Sequence, residues 1–214
     1  MHTTLEGGAA FAYIKAELQP GESIVAESDA MSSMSADLTM KAKFNGFAKG
    51  LLGGESFFVN HFTNNTSGAR QLTLVQGSPG SIRQVQLQGE TICLQPGAYI
   101  ASTPDVKIGT RWAGIASGFA REGFFKLTAS GTGTLWYGAY GGLLERMVDG
   151  ECIVDTSHLV AYEPQLKLKI QMAGGIFSSL FGGEGFVTRI EGRGKIIIQT
   201  RSLDGLANWL NPKL

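Results

Sequence analysis

The chain has 214 residues, of which 43% are hydrophobic and 17% are charged. The apolar fraction is large enough for a substantial core and excludes a disordered chain. The 18 basic and 18 acidic side chains balance, so no global field attracts nucleic acid or an anionic membrane, and either partner would need a local basic patch.

The N-terminal residues have no cationic start followed by an apolar core, and no apolar run approaches the roughly 18 residues that span a bilayer. Two cysteines are too few for a disulfide framework. We therefore expect no signal peptide and no spanning helix, and a cytoplasmic location, peripheral to a membrane if the chain binds one.

Four landmarks follow one another in the same order three times along the chain. Each series begins with Gly-Glu-x-Ile, continues with an alternating segment and a glycine-rich apolar stretch that closes at Glu-(Gly/Ser)-Phe, and ends with a second glycine-led segment. The Gly-Glu-x-Ile motifs lie at 21–24, 89–92 and 150–153, and the closing motifs at 55–57, 122–124 and 184–186. This recurrence predicts one domain over 1–214 with internal repeats at approximately 11–78, 79–140 and 141–203.

Each unit is predicted to be β. Leu166, Leu168 and Ile170 alternate with polar residues, a period of two that suits a strand with one buried face. Turn-forming Gly and Pro recur at short intervals, as sandwiches and barrels require. Only residues 203–210 have a helical pattern, with Ser202 as N-cap. The predicted fold class is all-β with a short C-terminal helix.

Triplication has a consequence for assembly. Equivalent units pack through equivalent surfaces, so the chain carries either a pseudo-threefold axis or an arc of similar blades. An arc leaves open strand edges, which pair with another copy unless they are covered. A homo-oligomer is therefore expected.

The Gly-Glu-x-Ile turns, the glycine-rich apolar loops and the closing residues 192–200 resemble the altered-inheritance-of-mitochondria family usually numbered twenty-fourth, from about Phe11 to Leu203. The resemblance implies three repeats of β-sandwich or double-stranded β-helix type, similar to the tryptophan RNA-binding attenuation protein, and a homotrimer. Fungal relatives are mitochondrial and are linked to the organisation of inner-membrane complexes. By analogy this implies a scaffold whose partner is a membrane surface or a membrane-protein complex. The resemblance carries no catalytic residue, and a similar fold does not transfer RNA binding.

The chain shows no motif for chemistry. His2, His61 and His158 lack partners at metal-ligand spacing, and no phosphate-binding glycine loop lies between a strand and a helix. We expect no catalytic residue, no metal site and no cofactor. Cys93 and Cys152 are read as two buried small side chains that face opposite sides of equivalent strands, because they are offset by one position.

Two sets of glutamates recur with the repeats. They are Glu22, Glu90 and Glu151, and Glu55, Glu122 and Glu184. Three carboxylates on a pseudo-threefold axis could converge on a hard cation. The favoured interpretation is that each carboxylate accepts hydrogen bonds from backbone amides in its own copy of the turn.

A basic strand face recurs before each apolar stretch. Its members are Lys41, Lys43, Lys107, Arg111, Lys167 and Lys169. Even spacing puts each pair on one face of its strand. The favoured interpretation is a solvated outer face, and the alternative is an anion-binding face for lipid head groups or phosphates. No aromatic residues interleave with the cations, so nucleic acid is not an expected partner.

The glycine-rich stretches are more apolar than surface loops normally are. Their large side chains are Phe47, Leu51, Leu52, Ile115, Phe119, Ile176, Phe177, Leu180 and Phe181. Leaving them in water costs several kcal/mol at about 25 cal/mol per Å². The sequence favours a subunit interface for them; the chain's own core and insertion into a membrane or partner stay open.

These patterns support three hypotheses. The first is a non-enzymatic oligomeric scaffold that acts at a membrane surface through the apolar loops. The second is a ligand-binding module that holds an anion, a lipid head group or RNA in an inter-repeat cleft or on the basic face. The third, an enzyme, is the least favoured.

Overall fold

The alternating segments form fifteen strands in the part of the chain that the structure describes. This computed structural model describes residues 1–45, 57–112, 125–172 and 186–211. In chain order the elements are β1 (His2–Glu6), β2 (Tyr13–Leu18), β3 (Ser23–Glu27), β4 (Met31–Met34), β5 (Thr39–Asn45), β6 (Phe57–Thr63), β7 (Arg70–Val75), β8 (Ile82–Leu94), β9 (Tyr99–Ser102), β10 (Val106–Trp112), β11 (Phe125–Gly138), β12 (Leu143–Asp155), β13 (Leu159–Tyr162), β14 (Lys167–Met172), β15 (Phe186–Gln199) and the helix α1 (Leu203–Leu210).

One antiparallel pairing scheme occurs in three consecutive segments of the chain. In the second segment, β8 to β11, the long strand β11 pairs with β8, β9 and β10. In the third, β12 to β15, the strand β15 pairs in the same way with β12, β13 and β14. The first segment, β1 to β7, divides this long strand in two: β6 pairs with β3 and β5, and β7 pairs with β2 and β4.

The Gly-Glu motif lies where the chain passes from one layer of the fold to the next, within β8 and β12 in the second and third segments and between β2 and β3 in the first. Gly21, Gly89 and Gly150 have φ values of 83°, 107° and 97° there. Side chains with a Cβ rarely adopt this backbone conformation, so the turn requires glycine. The recurrence of the motif therefore follows from backbone geometry.

Because the long strands contribute to two layers each, the sheets stack in four layers. Layer 1 is β1-β2-β7-β4, and layer 2 is β5-β6-β3-β9 with the second half of β11 and the first half of β8. Layer 3 consists, in order, of β10, the first half of β11, the second half of β8, β13, the second half of β15 and the first half of β12. Layer 4 is β14 with the first half of β15 and the second half of β12. Three hydrophobic cores lie between successive layers.

The inner layers are buried on both faces. In β11, Trp136 packs in the core between layers 1 and 2, while Leu135 and Tyr137 pack in the core between layers 2 and 3. All three are at most 2% exposed. This shared use of one strand fixes the segments against each other and explains why β9 and β13 are buried at every residue.

The all-β fold class and the C-terminal helix are confirmed. Helix α1 spans Leu203–Leu210, and the Ser202 side chain accepts a hydrogen bond from the Gly205 amide at 3.0 Å. In β14, Leu168 and Ile170 are half-buried and Lys167 and Lys169 are exposed, as the period of two predicts.

The burial of both cysteines is confirmed, and they lie on opposite faces of equivalent strands as predicted, yet both reach the same core. Cys93 and Cys152 are 1% and 8% exposed and lie in the same core, between layers 3 and 4. Their strands, β8 and β12, belong to adjacent layers there. Opposite faces of equivalent strands then meet in one core.

The three segments begin close together, at a tight backbone crossing. The amide of Ala12 donates to the carbonyl oxygen of Gly80 at 3.1 Å, and the amide of Ser81 donates to that of Gly141 at 2.8 Å. A Cβ at position 80 would lie 1.9 Å from the carbonyl oxygen of Ala139 and 2.6 Å from the amide nitrogen of Gly141. The crossing therefore excludes any side chain at Gly80.

Replacing Gly80 by Ala is expected to destabilise the protein by about 2–3 kcal/mol, because backbone has to move to admit the methyl group. Gly77→Ala is the matched control, since a Cβ there meets nothing within 4 Å. Its effect should stay within about 0.5 kcal/mol. Urea unfolding of both variants measures the difference, and equal midpoints would contradict the crossing.

Candidate functional site

The nine apolar residues predicted to form contact loops lie outside the described residues. They are Phe47, Leu51, Leu52, Ile115, Phe119, Ile176, Phe177, Leu180 and Phe181. The structure does describe the hairpin stems that carry these loops, namely β5–β6, β10–β11 and β14–β15. The stems therefore define the surface next to each loop.

The third stem is amphipathic. On one face, Leu168 and Ile170 are half-buried and Phe186, the first residue of β15, is 45% exposed beside the loop. The opposite face carries Lys167 and Lys169, both exposed. The Nζ atom of Lys169 lies 3.0 Å from Oε1 of Glu191, and this hydrogen bond holds the pKa of the Glu191 carboxyl below its usual value.

The first stem has the same two-sided character. Met40, paired with Phe62, is 44% exposed, and Phe58 on the same face is 48% exposed. Lys41 and Lys43 point to the other face and are exposed. Large apolar side chains thus reach solvent on one side of the hairpin and cations on the other.

The predicted anion-binding residues stand on three different layers. Lys41 and Lys43 belong to layer 2, Lys107 and Arg111 to layer 3, and Lys167 and Lys169 to layer 4. The side chain of Arg111 lies outside the described residues. The basic residues therefore form three strips, one at each stem.

A cleft of about 440 Å³ lies on the second and third segments. Its apolar lining includes Val85, Leu87 and Ile197. A charged group of Arg83, Glu145 and Lys195 lies at one side. Glu145 accepts hydrogen bonds from Arg83 through Oε2 at 2.9 Å and from Lys195 through Oε1 at 2.8 Å. The hydrogen bond from Lys195 is the main reason that the pKa of Glu145 is lowered. No sequence pattern pointed to this group, because its members come from three distant strands.

A wider depression of about 1040 Å³ lies beside α1 and includes His158. The ring Nδ1 of His158 donates to the carbonyl oxygen of Gln199 at 2.6 Å. His61, in β6, is paired with Lys41, and burial lowers its pKa. Neither histidine belongs to a metal-binding group, since the described residues contain no cluster of three His, Cys, Asp or Glu side chains suited to an ion.

The first set of repeated glutamates supports the structural interpretation at two positions. The Glu22 carboxylate accepts a hydrogen bond from the backbone amide of Gln19 at 2.7 Å, and the Glu90 carboxylate accepts one from the backbone amide of Gln88 at 2.7 Å. Glu151 differs, because Oε1 accepts from the Arg189 guanidinium at 2.6 Å. The second set, Glu55, Glu122 and Glu184, lies outside the described residues.

Sequence reasoning missed the most perturbed carboxyl group. Burial at the end of β3, reinforced by the charge of Asp29, raises the pKa of Glu27 to about 7. A perturbed acid is a candidate for catalysis when it lines a cavity. Glu27 lines neither of the two clefts, so we interpret it as a structural group.

The chain was compared with known proteins. A family model described as Mitochondrial biogenesis AIM24 matches residues 3–201. A protein of Streptococcus pyogenes serotype M6, described as uncharacterized, is 27% identical over 98% of this chain and 90% of its own length. A crystal structure of a Streptococcus pyogenes protein superposes with a TM-score of 0.80 and 25% identity, covering 100% of this chain and 99% of that one. In the described part of the chain, no helix has the length and apolarity to cross a bilayer.

The raised pKa of Glu27 makes stability depend on pH. The protonated carboxyl contributes stability that is complete below its ordinary pKa of 4.5 and is lost as pH rises through about 7. Glu27→Gln stays neutral, so it should be more stable than the parent at pH 8, by about 1 kcal/mol after solvent screening, and equal to it near pH 4.5. Thermal unfolding at both pH values measures this; a difference that does not change with pH would contradict it.

Proposed function

This chain belongs to the Mitochondrial biogenesis AIM24 family, and from that premise we propose that it is an oligomeric scaffold or binding protein that acts at a membrane surface, and not an enzyme. The chain is three copies of one β unit, which the three equivalent pairing schemes support. Its assembly is a homotrimer. Its location is cytoplasmic and peripheral to the membrane.

The observation that carries the membrane part is the two-sided stem beside an apolar loop. Phe186 is 45% exposed on one face of the third stem, and Lys167 and Lys169 are exposed on the other. Surfaces that bind at a bilayer combine apolar side chains, which enter the acyl boundary, with cations, which meet anionic head groups. The apolar residues 176–181 continue this surface in the sequence.

The first stem supports the same proposal independently. Met40 is 44% exposed, and Lys41 and Lys43 lie on the opposite face of the same strand. A stem of this kind in each copy of the unit gives several weak contacts to one surface, and linked weak contacts bind far more tightly than one alone.

Replacing Phe186 by Ser should weaken binding to vesicles of phosphatidylglycerol and phosphatidylcholine roughly tenfold, because burial of one aromatic side chain contributes about 1.5–3 kcal/mol and this one is partly buried already. Lys167→Glu with Lys169→Glu should weaken it further at low salt, by about 1 kcal/mol per cation removed. Co-sedimentation with the vesicles measures both effects.

Leu144→Ser is the matched control, since Leu144 is 52% exposed on β12, away from the stems. Its binding should equal that of the parent. If the parent protein sediments with no vesicle composition, or if Phe186→Ser and Leu144→Ser weaken binding equally, the membrane proposal is wrong.

We propose as a second candidate that the 440 Å³ cleft binds an anion that carries an apolar group. Arg83 and Lys195 supply the cationic end, and Val85, Leu87 and Ile197 supply the apolar lining. A ligand carboxylate would take the place of Glu145 beside the two cations. The resulting charge-assisted hydrogen bonds are stronger than neutral ones.

Sodium octanoate is a suitable probe for this cleft, with acetate as the probe that lacks the apolar group. Isothermal titration should detect octanoate and not acetate, and Arg83→Gln should weaken octanoate at least fivefold, because one charge-assisted hydrogen bond contributes about 1.5–3 kcal/mol. Arg146→Gln, an exposed arginine of β12 that does not line the cleft, is the control. Equal binding by the two variants would refute the site.

A further inference from the structure

Two inter-segment joints hold the four layers in sequence. In the first, β3 pairs antiparallel with β9, with Ala26 opposite Ala101 and Val25 opposite Ser102. In the second, β8 pairs with β13, with Leu94 opposite Ala161 and Cys93 opposite Tyr162. Each joint places the short strand of one segment beside the first long strand of the preceding segment.

The corresponding third joint would place β4 beside the second half of β12, and it is not made. Strand β4 ends the four-stranded sheet and β12 ends the other sheet, and no backbone hydrogen bond between these two fully described strands is found. Ser32 and Ser33 are exposed, whereas every residue of β9 and β13 is buried. Ile153 is 54% exposed, whereas Val25 and Cys93, the residues at the equivalent position in the strand pairings, are 6% and 1% exposed.

The two unpaired edges are complementary. Layer 2 has the strand order β5-β6-β3-β9-β11-β8, and joining layer 4 to layer 1 would give β14-β15-β12-β4-β7-β2, which is the same order of equivalent strands. The two joints that are made supply the register. In the strand pairings, Val25 of β3 and Cys93 of β8 correspond to Ile153 of β12, because β8 has one extra residue at its bulge that β12 lacks. Applied to the third joint, the register sets Ile153 opposite Met34 and Val154 opposite Ser33.

The side chains suit this register. Ile153 is 54% exposed, and Met34, which would lie opposite it, packs against the core between layers 1 and 2. On the other face of the joint, Val154 is 7% exposed in the core between layers 3 and 4, and the small Ser33 would lie opposite it. Pairing would therefore place the exposed Ile153 beside an apolar side chain at the edge of a core, just as opposite residues of the formed joints share one core, for example Ala26 and Ala101.

Three other edge strands are protected by basic residues and β4 is not. Strands β5, β10 and β14 carry two basic residues each, and Lys at an edge is a common means of preventing strand pairing. The sequence of β4 is Met-Ser-Ser-Met, without charge or proline. An unprotected edge with free amides and carbonyls is suited to a β partner.

We infer that the third joint is made between copies of this chain: the β4 edge of one copy pairs antiparallel with residues 151–155 of β12 in the next. Each copy presents both edges formed and unpaired, and the β12 edge of a second copy matches the β4 edge in strand order and register. Such a heterologous contact closes into a ring when the rotation permits. The inference deepens the proposed scaffold and rests on its self-assembly.

Mixing two single-cysteine variants tests the joint, with Cys93 and Cys152 both replaced by Ala in each. Met34→Cys and Ile153→Cys proteins on this background are purified separately, mixed and oxidised mildly. Because each chain carries one half of the pair, a disulfide between them can only join two copies. We expect the mixture to give a disulfide-linked pair of chains in high yield on a non-reducing gel, with the 34–153 link identified by mass spectrometry.

Met34→Cys mixed with Leu144→Cys is the control, because Leu144 lies in the other half of β12 and its exposure, 52%, is close to the 54% of Ile153. It should give little product. If the 34–153 pair forms no more product than the control, the joint is refuted. If the double variant Met34→Cys/Ile153→Cys links efficiently within one chain and the mixture does not link, the joint closes inside the chain and the inference fails.

Native mass separates this inference from the proposed self-assembly. The parent should sediment at a multiple of the 22.8 kDa chain mass. Ile153→Lys puts a charge on the pairing edge and should raise the dissociation constant at least tenfold, while Leu144→Lys leaves the mass unchanged. A monomeric parent refutes the self-assembly itself. An oligomeric parent whose mass Ile153→Lys leaves unchanged refutes only this joint.

Discussion

The passage of one strand from one layer to the next is the constraint on which this structure depends. The long strands β8 and β12 each bend at the glycine of the Gly-Glu motif, where φ is 107° and 97°. The two halves of each strand then line different cores. Without the bend, the second half of β8 could not stand beside β13, and the layers would separate into independent hairpin sheets. Next to this glycine, the carboxylates of Glu22 and Glu90 each accept a hydrogen bond from a backbone amide, which stabilises the turn.

This sharing of strands also determines which strand edges are left unpaired. Two inner layers are buried on both faces, so their short strands, β9 and β13, are apolar and covered. The outermost layers have no neighbour within the chain on one side. Strand β4 consequently keeps serine at positions where its equivalents are buried, and β12 presents Ile153 to solvent. The same architecture that completes three cores thus leaves one pair of matching edges.

The basic residues of the stems suit two roles, one structural and one that belongs to the proposed function. As cations on edge strands they discourage unwanted strand pairing. In the proposed contact with a membrane, they would meet anionic head groups. The ion pair of Lys169 with Glu191 is exposed and therefore weak. A competing anion can replace such a partner at little cost.

The sequence alone determined the features that depend on local periodicity. Alternation in 166–172 gave the strand and its buried face, the Gly-Glu motifs located the bends, and Ser202 with the following apolar residues located α1. These are short-range properties, since side-chain direction and backbone preference are set within a few residues.

Only the tertiary structure decided the features that join distant strands. Cys93 and Cys152 meet in one core because adjacent layers turn opposite faces toward each other. Glu145 brings Arg83 and Lys195 together from strands far apart in the chain, and burial of Glu27 follows from the stacking of layers. The unmade joint likewise depends on how many neighbours each layer has, which no local pattern encodes.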